Sequence, residues 1–366
     1  MTYFVSCFVV ALLATLFIMR SSMRHGHLST DHDLSGPQKF HARPVPRVDG
    51  AGVMVAIVSG VVIAQVNEAP VARALWLLIG CSLPAFVAGI AEDLTKNVSP
   101  RRRLLATAIS ASLAVWLLDA VITRTDIPIV DPIIRWAPFA VLLTVFVITG
   151  VANAINIIDG FNGLASMCVL MMILALGYVA FQVGDTFIFT ASLITAGAVL
   201  GFFVWNFPAG LIFLGDGGAY LLGFLLAELS ILLVHRNASV SPMFPLLLCA
   251  YPIFETIFTI YRRKVVRGVA TGLPDGIHLH TLIHRRLIRW TLAENHERRR
   301  LTRRNSMTSP YLWLLCLSSV IPSLLWWNST AVLSWFLLLF VVLYVWLYAR
   351  IVRFRTPKWL IFRRHG

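Results

Sequence analysis

Long apolar stretches alternate with short polar segments along the whole chain. Each apolar stretch is about 17 to 25 residues long, enough to cross a hydrocarbon core of about 30 Å as a helix. The pattern predicts an all-α, polytopic integral membrane protein with about eleven transmembrane helices. The predicted spans are Tyr3–Met19, Gly50–Val66, Val71–Ile90, Leu104–Ile122, Pro138–Ile158, Ala165–Gln182, Phe187–Trp205, Leu211–Val234, Pro242–Tyr261, Tyr311–Trp327 and Thr330–Ala349.

The longest polar segment, residues 262–310, is predicted to be a basic cytoplasmic loop. Within it the stretch HTLIHRRLIRW favours an amphipathic helix lying on the membrane surface, with a solvated helix as the alternative. The apolar face of that helix comprises Leu279, Leu282, Ile283, Leu287 and Trp290. No other polar segment is long enough for a soluble domain, so residues 1–366 are predicted to form a single transmembrane domain.

Composition and charge fix the predicted orientation. Hydrophobic residues make up 58% of the chain and charged residues 13%, which excludes an ordinary soluble protein. Of the 31 lysines and arginines, all but Arg73, Arg124, Arg135 and Arg236 fall on one side of the alternation. The positive-inside rule assigns that side to the cytoplasm, so the N-terminus lies outside and the C-terminus in the cytoplasm. The net charge of +14 then needs no nucleic acid, because topology and anionic headgroups account for it.

Polar clusters collect on the predicted cytoplasmic side. Five of them border the spans or lie in the long loop, at His41–Gly52, Gly89–Arg103, Asn153–Gly163, Phe213–Gly218 and Pro274–His284. Chance would scatter such clusters over both faces of the membrane. Their common side therefore predicts a single site.

The acidic residues of these clusters are typical of a metal and phosphate site. Asn153, Asn156 and Asp159 recur every three residues, so a helix projects them from one side. Asp216 lies among glycines at a helix start, where a carboxylate can hold Mg²⁺ while free backbone N–H groups face phosphate oxygens. A second acidic point is formed by Glu92 with its neighbour Asp93.

The remaining candidates are cations, histidines, glycines and one asparagine that would bind substrate. They are Lys96, Arg43, Arg47, Gly160, Asn162, Gly163, His278, His280 and His284. Carboxylates for a metal and cations for phosphate, both at the bilayer edge, suit a lipid phosphate that meets a water-soluble diphosphate.

Three residues have an ordinary structural interpretation beside the functional one, and a fourth, Glu255, is a further candidate for the site. Taken alone, His278 and His280 are more typical of solvated loop residues than of ligands. Glu228 lies near the middle of the eighth span, where it either pairs inside the bundle or serves a function. Glu255 precedes Arg262 by about two helical turns and is close enough to the cytoplasmic end of its span to reach the site.

Four motifs together resemble one enzyme family, the polyprenyl-phosphate N-acetylhexosaminyl-1-phosphate transferases. That family carries DDxxK, NxxNxxDGxDGL, GDxGS and HxHH motifs in this order. The corresponding segments here are EDLTK at Glu92–Lys96, NAINIIDGFNGL at Asn153–Leu164, GDGGA at Gly215–Ala219 and HLHT at His278–Thr281. The resemblance extends over about residues 36 to 290.

The resemblance implies roles for the metal and nucleotide residues. Asp216 corresponds to the magnesium ligand of the family, with Mn²⁺ as an alternative ion. Asn153, Asn156 and Asp159 correspond to residues that help to bind the nucleotide and the metal.

It also implies roles for the two outer motifs. The acidic pair Glu92 and Asp93 corresponds to residues placed at the lipid phosphate, where a general base has been proposed. His278 and His280 correspond to the histidine loop assigned to the diphosphate or the sugar.

The resemblance further implies a reaction and its partners. An oxygen of polyprenyl phosphate attacks a UDP-N-acetylhexosamine and UMP leaves, in a bacterial inner membrane with the active site facing the cytoplasm. A homodimer is left open. A CDP-alcohol phosphotransferase and a membrane transporter are the alternatives, and the nucleotide released separates all three.

The chain departs from the family pattern at four positions. Glu92 replaces the first aspartate of the acidic pair, and Asn162 replaces the second aspartate of DGxDG. Thr281 replaces the last histidine of HxHH, with His284 one turn further on, and Asp49 interrupts a usual glycine pair. The HHHFE form of the muramoyl-pentapeptide enzymes is absent, which argues against that substrate.

Overall fold

A computed structural model describes residues 1–24, 45–266, 268, 277–286, 288 and 297–353. Within these ranges the regular structure is helical. The helices are α1 (Thr2–Arg24), α2 (Gly50–Val66), α3 (Ala72–Thr95), α4 (Pro100–Leu118), α5 (Asp131–Ile134), α6 (Ala137–Ile158), α7 (Leu164–Gln182), α8 (Thr186–Asn206), α9 (Gly215–Arg236), α10 (Met243–Leu248), α11 (Ala250–Tyr261), α12 (Leu279–Arg286), α13 (Glu297–Leu325) and α14 (Thr330–Val352). A π-helical turn, Arg262–Val266, continues α11.

Eight helices of the described residues are long and apolar enough to cross a membrane, namely Thr2–Ser22, Ala72–Thr95, Ala137–Ile158, Leu164–Gln182, Thr186–Asn206, Gly215–Arg236, Leu301–Leu325 and Thr330–Val352. The described part of the chain is therefore helical, and the protein is a multi-pass membrane protein. The other three predicted spans are not among these eight helices. α2 has 17 residues, α4 begins with three arginines, and the ninth span is interrupted at Cys249 between α10 and α11. A count of eleven and the orientation both stay predictions.

Helix α9 lies at the centre of the bundle. It packs against α3 and α6 along much of its length and also contacts α2, α4, α7, α8 and α10. Its residues are buried almost throughout, from Gly215 to Leu233. The helix is therefore a hydrophobic axis, and the residues at its start lie among the ends of several other helices.

Glycines allow the helix ends to meet at the start of α9. A Cβ on Gly89 would lie 2.5 Å from Gly217 Cα, and one on Gly50 would lie 2.3 Å from Gly218 N. Neither separation admits a side chain, so α2 and α3 touch α9 backbone to backbone. This contact brings the segments before α2 and after α3 beside Asp216.

The predicted loop of residues 262–310 is wrong at its C-terminal end. Helix α13 begins at Glu297 and continues without a break to Leu325, so the last part of that segment is helical. Residues 267, 269–276, 287 and 289–296 lie outside the described residues. The prediction of a single domain over residues 1–366 stays a prediction.

The predicted amphipathic helix forms as α12, but its environment differs from both interpretations of the sequence. Residues Leu279 to His284 are all buried, and α12 packs against α13 and α14. Polar and apolar side chains from Leu279 to His284 are thus covered by protein, whereas Arg285 is exposed, so this part of the helix does not lie on a membrane surface as predicted. Leu287 and Trp290 of the predicted apolar face lie outside the described residues.

Candidate active site

A cavity of about 260 Å³ lies at the end of the bundle where α9 begins. Its wall combines the segment before α2, the end of α6, the start of α9 and the start of α12, which are four of the five polar clusters. The lining residues are Arg47, Asn156, Ile157, Asp159, Gly160, Phe161, Phe213, Gly215, Asp216, His278, His280 and Thr281. Residues more than 100 positions apart in the chain therefore share one polar cavity.

The end of α6 turns its polar residues toward α9, as their spacing predicts. Asn156 Nδ2 donates a hydrogen bond to Asp216 Oδ1 at 3.0 Å. One turn earlier, Asn153 Oδ1 accepts a hydrogen bond from the Tyr220 hydroxyl at 3.3 Å, and Asn153 is not among the described residues of the cavity wall. Asn156 thus contacts Asp216 in the cavity wall, whereas Asn153 holds α6 against α9.

Arg103 contacts the site through Asp216, although it is not among the described residues that line the cavity, and the sequence analysis did not name it as a candidate. Its guanidinium forms an ion pair with Asp216 Oδ2 and lies 5.8 Å from the centre of the Tyr220 ring. The sequence placed this arginine among the residues that set topology. Its position in the first turn of α4, shortly after the acidic pair, is the signal that would have drawn attention to it.

The acidic pair binds backbone amides. The two carboxylate oxygens of Asp93 accept hydrogen bonds from the amides of Asp216 and Gly217, each at 2.9 Å. Glu92 Oε2 accepts from the amide of Val98 at 2.7 Å, which closes the turn after α3. Neither acidic side chain is among the described residues that line the cavity.

This arrangement corrects one prediction about the start of α9. The amides of Asp216 and Gly217 were expected to be free to face phosphate oxygens, but the Asp93 carboxylate already occupies both. A carboxylate at this position satisfies two N–H groups that the helix itself leaves unpaired, and it complements the helix dipole. Lys96, one turn after the pair, is exposed and likewise lies outside the cavity wall.

Asp159 and Arg47 bring opposite charges to the cavity. Asp159 ends α6 and is half-buried. Burial raises the pKa of the Asp159 carboxyl to about 7, and the positive charge of Arg47 opposes that rise. Arg43, the other predicted arginine of this segment, lies outside the described residues.

The histidine segment, residues 277–284, is held in place by hydrogen bonds that involve α11 and α14. His278 Nδ1 lies 3.1 Å from Glu255 Oε1 and 3.2 Å from Thr259 Oγ1. The amide of Leu279 donates to the same Glu255 oxygen, and the Tyr344 hydroxyl donates to Glu255 Oε2 at 2.7 Å. His278 and His280 are both buried, so the interpretation of solvated loop residues is wrong.

The imidazole rings form a stack beside Phe161. The rings of His278 and His280 are nearly parallel, with centres 5.0 Å apart, and Phe161 meets His280 edge to face at 5.4 Å. His284 lies on the other side of this contact, 5.3 Å from Phe161, with Nδ1 3.2 Å from the Thr308 hydroxyl. It is not among the described lining residues, so it does not replace the missing third histidine in the cavity wall.

His284 is held neutral by its surroundings. Burial lowers the pKa of the His284 imidazole to about 4, and the positive charges of Arg304 and Arg285 act in the same direction. At neutral pH this ring is therefore an uncharged packing and hydrogen-bonding group.

Two further predicted ligands lie in the scaffold. Asn162 is buried against α13, where its amide group donates to Pro208 O and Ser306 Oγ at 3.2 and 3.0 Å. Gly163 begins α7 with a φ of 71°, and a Cβ there would lie 2.8 Å from the Cβ of Phe207. Neither residue is among the described residues that line the cavity, so their predicted contact with substrate stays a prediction. Gly160 does line the cavity.

The oxygen donors of the cavity fit a magnesium ion in part. Asp159 and Asp216 supply carboxylates and Asn156 an amide oxygen, the ligand types that Mg²⁺ prefers. The described residues contain no group of three or more His, Cys, Asp or Glu side chains that could hold a metal. The protein would thus provide one or two carboxylates, and water and substrate phosphates would complete the shell, as is usual for Mg²⁺.

A second cavity, of about 270 Å³, lies between α6, α9 and the α10–α11 pair. It is nearer the opposite ends of α6 and α9. Its walls are largely apolar and include Leu143, Val147, Val151, Ala227, Ile231, Val234, Met243, Leu246 and Ile253. The protein therefore combines a polar cavity at one end of the bundle with an apolar one within it.

Comparison with known proteins matches residues 75–234 to glycosyl transferase family 4. The chain is 28% identical over 279 residues to the probable undecaprenyl-phosphate N-acetylglucosaminyl 1-phosphate transferase of Bacillus subtilis, covering 75% of this chain and 76% of that protein. It is 28% identical over 258 residues to the undecaprenyl-phosphate alpha-N-acetylglucosaminyl 1-phosphate transferase of Thermotoga maritima, covering 70% and 74%.

A third relative is the phospho-N-acetylmuramoyl-pentapeptide-transferase of Streptococcus thermophilus, 35% identical over 145 residues, which cover 39% of this chain and 42% of that protein. The family match includes the acidic pair, the end of α6 and Asp216, and it ends before the histidine segment. The resemblance drawn from the motifs is confirmed: residues 75–234 match glycosyl transferase family 4, and over 70–75% of its length the chain is similar to two proteins named as undecaprenyl-phosphate N-acetylglucosaminyl 1-phosphate transferases.

Proposed function

We infer that this protein transfers an N-acetylhexosamine-1-phosphate from a UDP-sugar to polyprenyl phosphate and releases UMP. The observation that carries the proposal is the single cavity that unites Asp159, Asp216, Arg47 and His278 at one end of a membrane bundle. The names of the relatives from Bacillus subtilis and Thermotoga maritima support the same reaction. Its product would begin a lipid-linked glycan.

The reaction is a displacement at phosphorus. An oxygen of the lipid phosphate forms a bond to the β-phosphorus of the UDP-sugar, while the bond from that phosphorus to the bridging oxygen breaks. The electron pair leaves with UMP. One phosphoanhydride replaces another, so the protein needs to position two anions and offset their charge more than to supply driving force.

The residues of the cavity divide this work. Asp216 and Asp159 would hold Mg²⁺, or Mn²⁺ in its place, which would supply positive charge opposite the diphosphate. Asn156 orients the Asp216 carboxylate through the hydrogen bond to Oδ1. Arg47 and His278 line the same wall and face the negative charge of the substrates.

No general base is needed for this step. A phosphate monoester has a second pKa of about 6, so much of the lipid phosphate is already dianionic at neutral pH. Glu92 and Asp93 hold backbone amides in the structure. We therefore give the acidic pair a positioning role: Asp93 fixes the turn that carries Asp216.

The location of the cavity fits a lipid substrate. Its position at a helix end would let the nucleotide enter from the cytoplasm of a bacterial cell while the lipid arrives from the inner membrane. The apolar cavity between α6, α9 and α10–α11 offers space of the right polarity for part of an isoprenoid chain.

Purified protein tests the proposal directly. We expect UMP release only when a UDP-N-acetylhexosamine, undecaprenyl phosphate and Mg²⁺ are all present, with a sugar-bearing lipid diphosphate as the second product. Removal of the metal by EDTA is the control, and a panel of UDP-sugars identifies the sugar. Release of CMP from a CDP-alcohol, or no nucleotide release with any donor, would overturn the assignment.

A further inference from the structure

We propose that Glu255, held by Tyr344, is the positioning residue of His278: it fixes the ring so that Nε2 faces the cavity and contacts a diphosphate oxygen of the nucleotide-sugar. The inference rests on the proposed function. It adds a residue of α11 and a residue of α14 to the site, and both lie beyond the region that matches the family.

The Glu255 carboxylate is buried and fully engaged. The residue is 1% exposed, and both of its oxygens accept hydrogen bonds. Oε1 receives the Leu279 amide at 3.1 Å and lies 3.1 Å from His278 Nδ1, while Oε2 receives the Tyr344 hydroxyl at 2.7 Å. A carboxylate held from both sides in this way is a rigid anchor.

The anchor determines which ring nitrogen of His278 carries hydrogen. An ionised carboxylate only accepts hydrogen bonds, so Nδ1 must be the donor. Nε2 is then the nitrogen left for the cavity that His278 lines. With a carboxylate on one side and a phosphate oxygen on the other, the imidazolium form donates in both directions.

Two further contacts keep the ring from turning. The His280 ring stacks on His278 at an interplanar angle of 10°. The Tyr348 hydroxyl donates to the carbonyl of Ile277 at 3.3 Å, so α14 holds the histidine segment at residue 277 as well as through Glu255. The orientation of His278 thus depends on the last described helix of the chain.

A second buried carboxyl provides a matched control. Glu228 is 0% exposed in α9, and neither of its carboxyl oxygens has a hydrogen-bond partner among the described residues. Glu228→Gln removes a buried carboxyl of the same size without touching the histidine segment. It measures what such a change does by itself.

A double-mutant cycle tests the proposal. Glu255→Gln keeps the side-chain shape but removes the charge, so we expect KM for UDP-N-acetylglucosamine to rise about tenfold while kcat changes less. In the His278→Ala background the same substitution should change KM less than about twofold, because its effect acts through the missing ring. Glu228→Gln should leave KM unchanged.

The outcomes separate the possible failures. If the fold-changes in KM of the two single variants multiply in the double variant, Glu255 acts independently of His278, and the inference is overturned. Absence of UMP release from the wild type would instead overturn the proposed function.

The position of hydrogen on the ring gives a readout independent of turnover. The ¹⁵N chemical shifts of His278 should report hydrogen on Nδ1 in the wild type, with hydrogen on Nε2 as well when UDP-N-acetylglucosamine is bound, and a changed pattern in Glu255→Gln. Unchanged shifts would contradict the proposal. If Glu255→Gln fails to fold, Tyr344→Phe takes its place in the cycle and in the spectra, with a smaller expected rise in KM and the same criterion of non-additivity.

Discussion

The carboxylates of Asp93, near the end of α3, and of Asp216, at the start of α9, lie close together but have different partners. Asp93 is buried and binds two backbone amides. Asp216 is part-exposed at the cavity, and its partners are the side chains of Asn156 and Arg103. Backbone amides cannot leave without unwinding the helix, whereas side chains can move aside when a ligand arrives. The comparison teaches that the partner of a carboxylate, more than its place in a motif, decides whether the carboxylate is locked into the fold or is available to a ligand in the cavity.

The largest expected effect follows from removing the charge of Asp216. Asp216→Asn keeps the size of the side chain but weakens metal binding, so we expect kcat/KM to fall at least about 100-fold, or ~2.7 kcal/mol. Asp159→Asn should be similarly damaging. Turnover assays with thermal unfolding in detergent measure both properties. Either variant keeping more than about a tenth of wild-type activity would remove that residue from the metal site.

Arg103 should rank next, because it faces the same carboxylate. We expect Arg103→Gln to lower kcat/KM about tenfold and Arg103→Lys to restore part of the loss, since the charge near the diphosphate returns without the planar fork. Arg102→Gln changes an exposed arginine in the same turn and is the matched control. Equal activity of the Arg102 and Arg103 variants would show that the ion pair has no part in turnover.

Asp93→Asn should affect stability more than chemistry. The Asp93 carboxylate accepts hydrogen bonds from two backbone N–H groups. The NH₂ group of an asparagine would face one of these N–H groups and leave it without an acceptor, which lowers the free energy of unfolding by about 1–3 kcal/mol. We expect a lower unfolding temperature, with KM near the wild-type value at temperatures where the variant is folded. A stable but inactive Asp93→Asn protein would return the acidic pair to the chemical step and break the comparison.

The smallest effect on turnover is expected at Asn162. Asn162→Asp restores the residue of the family motif but replaces two donated hydrogen bonds with a carboxylate that faces the carbonyl of Pro208. The variant should lose about 1–2 kcal/mol of stability without binding UDP-sugar more tightly. Isothermal titration with UMP checks the second point, and tighter binding would place residue 162 in the nucleotide site.

Local pattern carried the prediction of helices because the period of hydrophobicity is a property of neighbouring residues. The three-residue spacing of Asn153, Asn156 and Asp159 gave the side of α6 correctly for Asn156 and Asp159, which both line the cavity. The start of α13 at Glu297 was not predicted, because the first turns of this helix are polar and precede its apolar stretch. Polar residues in a helix that extends beyond the membrane carry no hydropathy signal.

Residue chemistry by itself determined that this protein is helical, that it lies in a membrane and which polar segments belong together. Tertiary structure alone decided which partner each carboxylate takes. Asp93 accepts hydrogen bonds from residues 123 and 124 positions away in the chain, and Glu255 accepts one from Tyr344, 89 positions away. It also decided that Asn162 faces α13 and that α12 is buried. Helical periodicity extends over a few turns, whereas these pairings depend on how separate helices dock, and no local pattern in the chain encodes that docking.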